Sequence, residues 1–176
     1  AWKDDANETK AYTLGHLIED VAKIDEILSI RYTTSHPLDM NLELIKAHKN
    51  VDKLMPYLHL PIQSGSDNIL KKMNRKHTAS EYLKIIELVK KYREDIAISS
   101  DFIVGHPGET NEDHKKTLDI INEVQFASSY SFMYSERPGT KSSEFGEIVD
   151  KNIKKIRLHQ IQNKLNDYQL TFNKNM

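Results

Sequence analysis

The sequence predicts an α/β domain whose strands run parallel and are joined by outer helices. Three observations lead there. Short β-rich runs recur roughly 30–40 residues apart along the 176-residue chain, with helix-length amphipathic segments between them. Spacing of that kind suits crossover connections, because two parallel strands cannot be joined by a tight turn. No low-complexity segment or interdomain linker interrupts the pattern, so residues 1–176 read as one domain.

Each element has its own local reason. Leu14, Leu17, Ile18 and Val21 recur at three- and four-residue spacing, which makes 13–23 a helix. The run ILSIRYTT at 27–34 is β-rich and is expected to be the first strand, stopped by Ser35, His36 and Pro37. Helix returns at 41–48, and 57–62 is the second strand despite Pro61 near its end. A Ser-Gly-Ser turn follows, where Ser66 and Asp67 are placed to cap a short helix through residue 73. Thr78 and Glu81 form a capping-box pattern for a helix to residue 92. The third strand, 96–104, closes on Gly-His-Pro-Gly, and Thr110 with Asp113 opens a helix to about residue 124. Residues 129–134 are the fourth strand. A helix at 151–171 carries Ile153, Ile156, Ile161, Leu165 and Tyr168. Four parallel strands fit either a doubly wound sheet or an arc of a (β/α) barrel. In both, ligands sit beyond the carboxyl ends of the strands, here 33–37, 63–66, 105–109 and 135–140.

Bulk composition narrows the function classes. A net charge of −1 gives no overall basic field for nucleic acid, although it leaves room for local basic patches. No apolar run reaches the ~20 residues of a membrane helix, and residues 1–5 carry no apolar signal segment, so a cytoplasmic location is expected. The chain contains no cysteine. Disulfides, thiol nucleophiles and thiolate-held zinc or iron–sulfur sites therefore have no ligands within it.

The strand ends hold the candidate chemistry. Gln63 offers amide donors and acceptors suited to a ribose hydroxyl or an amino-acid head group, and Gly65 would let backbone N–H groups approach a ligand. His59 alternates with Leu58 and Leu60 and reads as a satisfied structural histidine. Asp101 lies on the third strand, before a turn whose helix N-terminus already carries Glu109, Glu112 and Asp113. That acidity argues against a phosphate cradle, and the turn lacks the Gly-Lys-Ser/Thr of a P-loop. The basic clusters at 71–76 and 151–157 are solvated helix faces or, in the sharper reading, contacts for a phosphate backbone. The histidines show no HxxxH or HExxH spacing, so no metal site is expected.

Five segments in register carry a resemblance: RYTTSHP (31–37), LHLPIQSGSD (58–67), MNRKHT (73–78), SSDFIVGHPGET (99–110) and SFMYSERPGT (131–140). Together they resemble the MiaB-type tRNA methylthiotransferases, a family of radical S-adenosylmethionine (SAM) enzymes. The resemblance implies an arc of a partial radical SAM barrel matching strands three to six of six. It also implies that the family's N-terminal cluster domain, first barrel strands and C-terminal tRNA-binding β-barrel lie outside this chain. The cofactors implied are SAM and two 4Fe–4S clusters, whose cysteine ligands are missing here. The partners implied are the tRNA anticodon stem-loop, at an isopentenyl-adenosine, and an electron donor such as a flavodoxin system, with no membrane. By motif, Gln63 and Ser64 would reach the ribose or amino-acid part of SAM, Asp101, Ile103 and Val104 its adenosine, and Tyr134 its adenine. Arg75 and Arg137 would face the RNA, where guanidinium forks suit phosphates and bases. The chain departs from the family at His106, His77 and Glu136. By itself it is expected to be inactive. The alternatives are a non-catalytic RNA- or nucleoside-binding remnant, or an enzyme pairing Asp101 with a histidine as acid and base.

Overall fold

The computed structural model describes residues 12–33, 36–136, 139, 146 and 148–174. Helices α1 (Leu14–Val21), α2 (Leu42–Asn50), α3 (Asp67–Lys72), α4 (Ala79–Tyr92), α5 (Asn111–Val124) and α6 (Lys151–Lys174) alternate with strands β1 (Tyr57–His59), β2 (Ala97–Val104) and β3 (Ser128–Met133). The strands form one sheet in the order β1-β2-β3, parallel throughout. Order along the sheet follows order along the chain, without the reversal that marks a doubly wound fold. The barrel-arc expectation therefore holds.

Of the expected first strand, Thr34 lies outside the described residues and the rest is reduced to a single parallel bridge, Ile30 to Leu54. Three strands are found among the described residues where four were expected. The reason lies in the partner segment. Ile30 N–H donates to Lys53 O and Met55 N–H donates to Ile30 O. The next rung would need Met55 O and Tyr57 N–H, but these two groups bond to each other across Pro56 at 2.7 Å. Proline bends the chain there, and the ladder ends after Ile30.

Local capping signals come out as expected for two helices. Thr78 with Glu81 and Thr110 with Asp113 each form a reciprocal capping box. The short helix α3 differs: Ser66 occupies its N-cap position without capping it. The Ser66 hydroxyl donates instead to Asp113 Oδ1 at 2.5 Å, and Asp67 Oδ1 accepts from Ala79 N–H at 2.7 Å. Both residues tie α3 to neighbouring helices.

Apolar alternation puts Leu58, Leu60 and Ile62 with Ile98, Phe102 and Val104 on the helix-covered face, all buried. Phe102 meets Phe126 edge-on at 5.3 Å. Tyr82 of α4 is fully buried and donates its hydroxyl to Leu60 O at 2.9 Å. Ile161 and Leu165 bring α6 onto the same core. The other sheet face is open. Register pairs Asp101 with Tyr130 and Ile103 with Phe132, and these two aromatics are 63% and 55% exposed.

Candidate functional site

The open face and the carboxyl ends of the strands gather the polar groups. On β1 and β2, His59 stands opposite Ser99 in register. A ring nitrogen of His59, Nδ1, lies 3.0 Å from Ser99 Oγ, and Nε2 lies 3.6 Å from Asp101 Oδ2. The latter gap exceeds the ~2.6–3.2 Å reach of direct proton transfer, so the geometry gives no support to an Asp101–histidine acid–base pair. Arg75, half-buried just after α3, feels the charge of Asp101. Burial pushes its pKa below the usual value and Asp101 opposes that fall.

Gln63 sits at the end of the β1 segment with φ +77°, a left-handed backbone uncommon outside glycine. Its N–H donates to Asp101 O and its carbonyl accepts from Ile103 N–H, each at 2.9 Å. The strain is held by the two β2 residues that the motif match singles out, and strained non-glycine backbone clusters at functional sites.

The following turn is clamped to α5. Ser64 is fully buried, its hydroxyl 3.3 Å from Thr117 Oγ1 and accepting from Ser66 N–H. Gly65 N–H donates to Thr117 Oγ1 at 3.0 Å. A Cβ on Gly65 would stand 2.4 Å from Lys116 O and 2.7 Å from Thr117 Cα. Glycine is thus needed here for helix packing, not for the approach of a ligand. Gly65→Ala is expected to lower stability by about 1–3 kcal/mol, the usual cost of overpacking, measured by urea denaturation. A variant as stable as the parent would show that α5 can retreat from the turn.

After β2 the turn is organised from within. Gly105 (φ +70°) donates its N–H to Glu109 Oε2 at 2.8 Å. The Glu109 carboxylate thus occupies a backbone N–H that a phosphate would otherwise engage. Arg157 of α6 donates to Glu109 Oε2 at 2.6 Å, to Glu109 O at 3.0 Å and to Asn111 Oδ1 at 2.8 Å. Lys154 lies across Gly105 and holds its ammonium 5.4 Å from the centre of the Tyr134 ring. His106, almost fully buried, meets Tyr134 edge-on at 5.0 Å. The buried Tyr134 hydroxyl has no hydrogen-bond partner among the described residues.

The six residues matched to SAM therefore divide. Asp101 and Ile103 lie on the open face, Gln63 joins them through the backbone, and Tyr134 ends β3 beside the same turn. The Ser64 and Val104 side chains are packed against helix and core, so only their backbone groups remain for a ligand. Arg75 is close enough to Asp101 to feel its charge, while Arg137 falls outside the described residues. Sequence reasoning missed Ser99 and Arg157 and read His59 as purely structural. The period-two alignment of 57, 59 with 97, 99, 101 was the available signal for His59. No local signal pointed to Arg157.

A model of the radical SAM superfamily matches residues 7–121, well over half of the chain. The chain belongs to the radical SAM superfamily. Within that superfamily it is 56% identical over 165 residues to the tRNA-2-methylthio-N(6)-dimethylallyladenosine synthase of Ehrlichia chaffeensis, covering 94% of this chain and 37% of the relative. Enzymes of the same name from Anaplasma marginale and Bartonella tribocorum are 53% and 51% identical, covering 94% and 97% of the chain. The chain spans about 37% of the length of the first of these relatives. Among solved structures, the radical SAM enzyme coproporphyrinogen III oxidase of Escherichia coli superposes with a TM-score of 0.61 at 15% identity. It covers 76% of this chain and 31% of its own, a likeness of fold.

The superfamily implies SAM and a 4Fe–4S cluster. The open-face carboxylate of Asp101 and the amide of Gln63 supply acceptors and donors of the kind that a nucleoside such as the adenosine of SAM would engage. The cluster does not fit this chain: the sequence supplies no thiolate, and no group of three or more His, Cys, Asp or Glu able to hold a metal occurs among the described residues. No helix among them is long and apolar enough to cross a membrane.

Proposed function

We propose that this chain is the SAM- and nucleoside-binding arc of a cytoplasmic tRNA methylthiotransferase, which adds a methylthio group to C2 of isopentenyl-adenosine beside the anticodon. The observation that carries the reading is the similarity of 94% of the chain to enzymes named for that modification, together with the polar groups gathered at the strand ends. When bound, SAM supplies the radical and the methyl group. The residues here bind and orient: Gln63 at the ribose or amino-acid portion, Asp101 and Ile103 at the adenosine, Tyr134 at the adenine, and Arg75 and Arg137 toward the RNA. The tRNA anticodon stem-loop and a flavodoxin-type electron donor are the partners in this reading. The chemistry needs cluster ligands outside these 176 residues, so the chain alone is inactive.

The test is nucleoside mass spectrometry of tRNA after anaerobic incubation with SAM and a reductant. No 2-methylthio nucleoside is expected from the chain alone. Product is expected when the chain replaces the matching segment of the Ehrlichia chaffeensis relative. A joined polypeptide that carries its cluster, yet leaves tRNA unmodified where the intact relative modifies it, would overturn the reading. The cysteine-free sequence favours, as a second reading, a non-catalytic nucleoside- or RNA-binding remnant. Only that reading predicts nucleoside binding with no product from the joined polypeptide.

A further inference from the structure

We propose that His59 is a positioning residue for Asp101: anchored by Ser99, its ring fixes where the carboxylate is presented to a nucleoside ligand. The inference rests on the assignment of Asp101 to ligand binding and adds a residue to which the motif match assigns no role. Three observations carry it. Ser99 is fully buried and its hydroxyl is 3.0 Å from His59 Nδ1, so one edge of the ring is tied to β2. That tie turns Nε2 toward Asp101 Oδ2 at 3.6 Å, with side-chain exposures of 16% and 27%. Both groups therefore stand at the margin of the open face, where a ligand can reach them. The backbone of Asp101 is fixed separately, its carbonyl accepting from the strained Gln63 at 2.9 Å.

The geometry gives each group one task. Asp101 also interacts with the charge of Arg75. A carboxylate between a cation and open solvent has several rotamers of similar energy, and a ligand must select one at an entropic cost. The imidazole, immobilised by Ser99 and by its register on β1, closes off the rotamers that swing toward β1. The 3.6 Å gap is too long for a direct hydrogen bond. It leaves Nε2 and Oδ2 as neighbouring polar atoms that a hydroxyl-bearing ligand can engage together. His59 thus acts through Asp101 by removing alternatives to the binding geometry, which is preorganisation and not proton transfer.

The test is a double-mutant cycle on the 176-residue chain, with S-adenosylhomocysteine as the probe because it needs no cluster, read by calorimetry. Asp101→Asn and His59→Ala are each expected to raise Kd about tenfold. The double variant should bind no worse than Asp101→Asn alone, because the carboxylate that the histidine presents is already gone. Ser99→Ala should reproduce part of the His59→Ala loss, and His59→Gln should recover part of it, since its amide keeps a polar group beside Asp101. Thermal melts of all variants separate folding defects from binding defects. Weaker binding in Asp101→Asn with unchanged binding in His59→Ala would overturn this inference and leave the assignment of Asp101 intact. Additive losses would overturn it too, because they mean independent contacts. Unchanged binding in both single variants, or no binding by the parent chain at millimolar probe, would overturn the assignment of Asp101 and this inference with it.

Discussion

Replacing Arg157 by methionine is expected to cost the folded chain about 3–5 kcal/mol, the penalty for leaving a buried charge without its partner. Arg157 and Glu109 are 6% and 1% exposed at their side chains, with Nη1 and Oε2 2.6 Å apart. Burial raises the Glu109 pKa above the ordinary carboxylate value, and the Gly105 N–H and the Arg157 guanidinium hold it down. Methionine fills similar space but leaves Glu109 with the Gly105 N–H as the main opposition to burial, so its pKa rises further. A carboxyl with a raised folded-state pKa is most favourable below its unfolded value and loses stability as pH rises through the folded one. The deficit of Arg157→Met should therefore shrink as pH falls from 7 toward about 4.5. Arg157→Lys should recover only part of the loss, because an ammonium cannot bond Glu109 and Asn111 in the forked geometry of the guanidinium. Urea denaturation of the three proteins at two pH values checks the set. A methionine variant with parental stability at pH 7 would show that water reaches Glu109.

Acid is expected to weaken the fold from about pH 6.5 downward, before the carboxylates titrate, with His48 as the largest single contributor. His48 is fully buried on α2, with Nε2 2.6 Å from the Tyr32 hydroxyl and Nδ1 without a partner. Burial, and then the charge of Arg93, push its pKa from 6.5 down to about 4. A histidine held neutral in the fold stabilises it fully above pH 6.5, where the unfolded chain is also neutral. That contribution disappears as pH falls toward 4, because the unfolded chain takes up a proton that the folded chain refuses. The stated fall corresponds to roughly 3 kcal/mol. His77, His106 and His114 are also pushed down, each chiefly by burial, so all four losses have the same sign in the same window. Stability measured by urea from pH 8 to pH 4.5 should be flat above about 7 and fall steadily below 6.5. His48→Gln should lower stability at pH 7 and flatten the slope below 6.5. An unchanged slope in that variant would show that His48 is protonated in the folded state.

The elements that were legible in the sequence are those whose causes lie within a few residues. The capping boxes at Thr78–Glu81 and Thr110–Asp113 span three residues each, and both appear in the fold. The three-and-four spacing in 79–92 and the strand-to-helix alternation likewise needed no distant partner to be read. From them came the parallel sheet and the expectation that ligands sit at the carboxyl ends of its strands. The motif segments brought Gln63 and Asp101 to attention because their chemistry sits in contiguous strings. The sequence also decided that this chain cannot ligate an iron–sulfur cluster through thiolates.

Tertiary structure decided whatever depended on groups far apart in the chain. After Ile30 the β-rich run lost its ladder because Pro56 turned the hydrogen-bonding groups of its partner elsewhere, and β-propensity alone says nothing of a partner's geometry. Ser64 went to the helix side because Thr117, 53 residues away, received its hydroxyl. Arg157 reads as one cation in a basic run, and only the packing of α6 against the turn after β2 places it on Glu109, 48 residues away. His59 looked structural because Ser99, 40 residues on, cannot be assigned to it before the strands are set in register. Covalent neighbours carry propensity, capping and motif. Buried pairs are chosen by desolvation, which acts only after the chain has brought distant groups together.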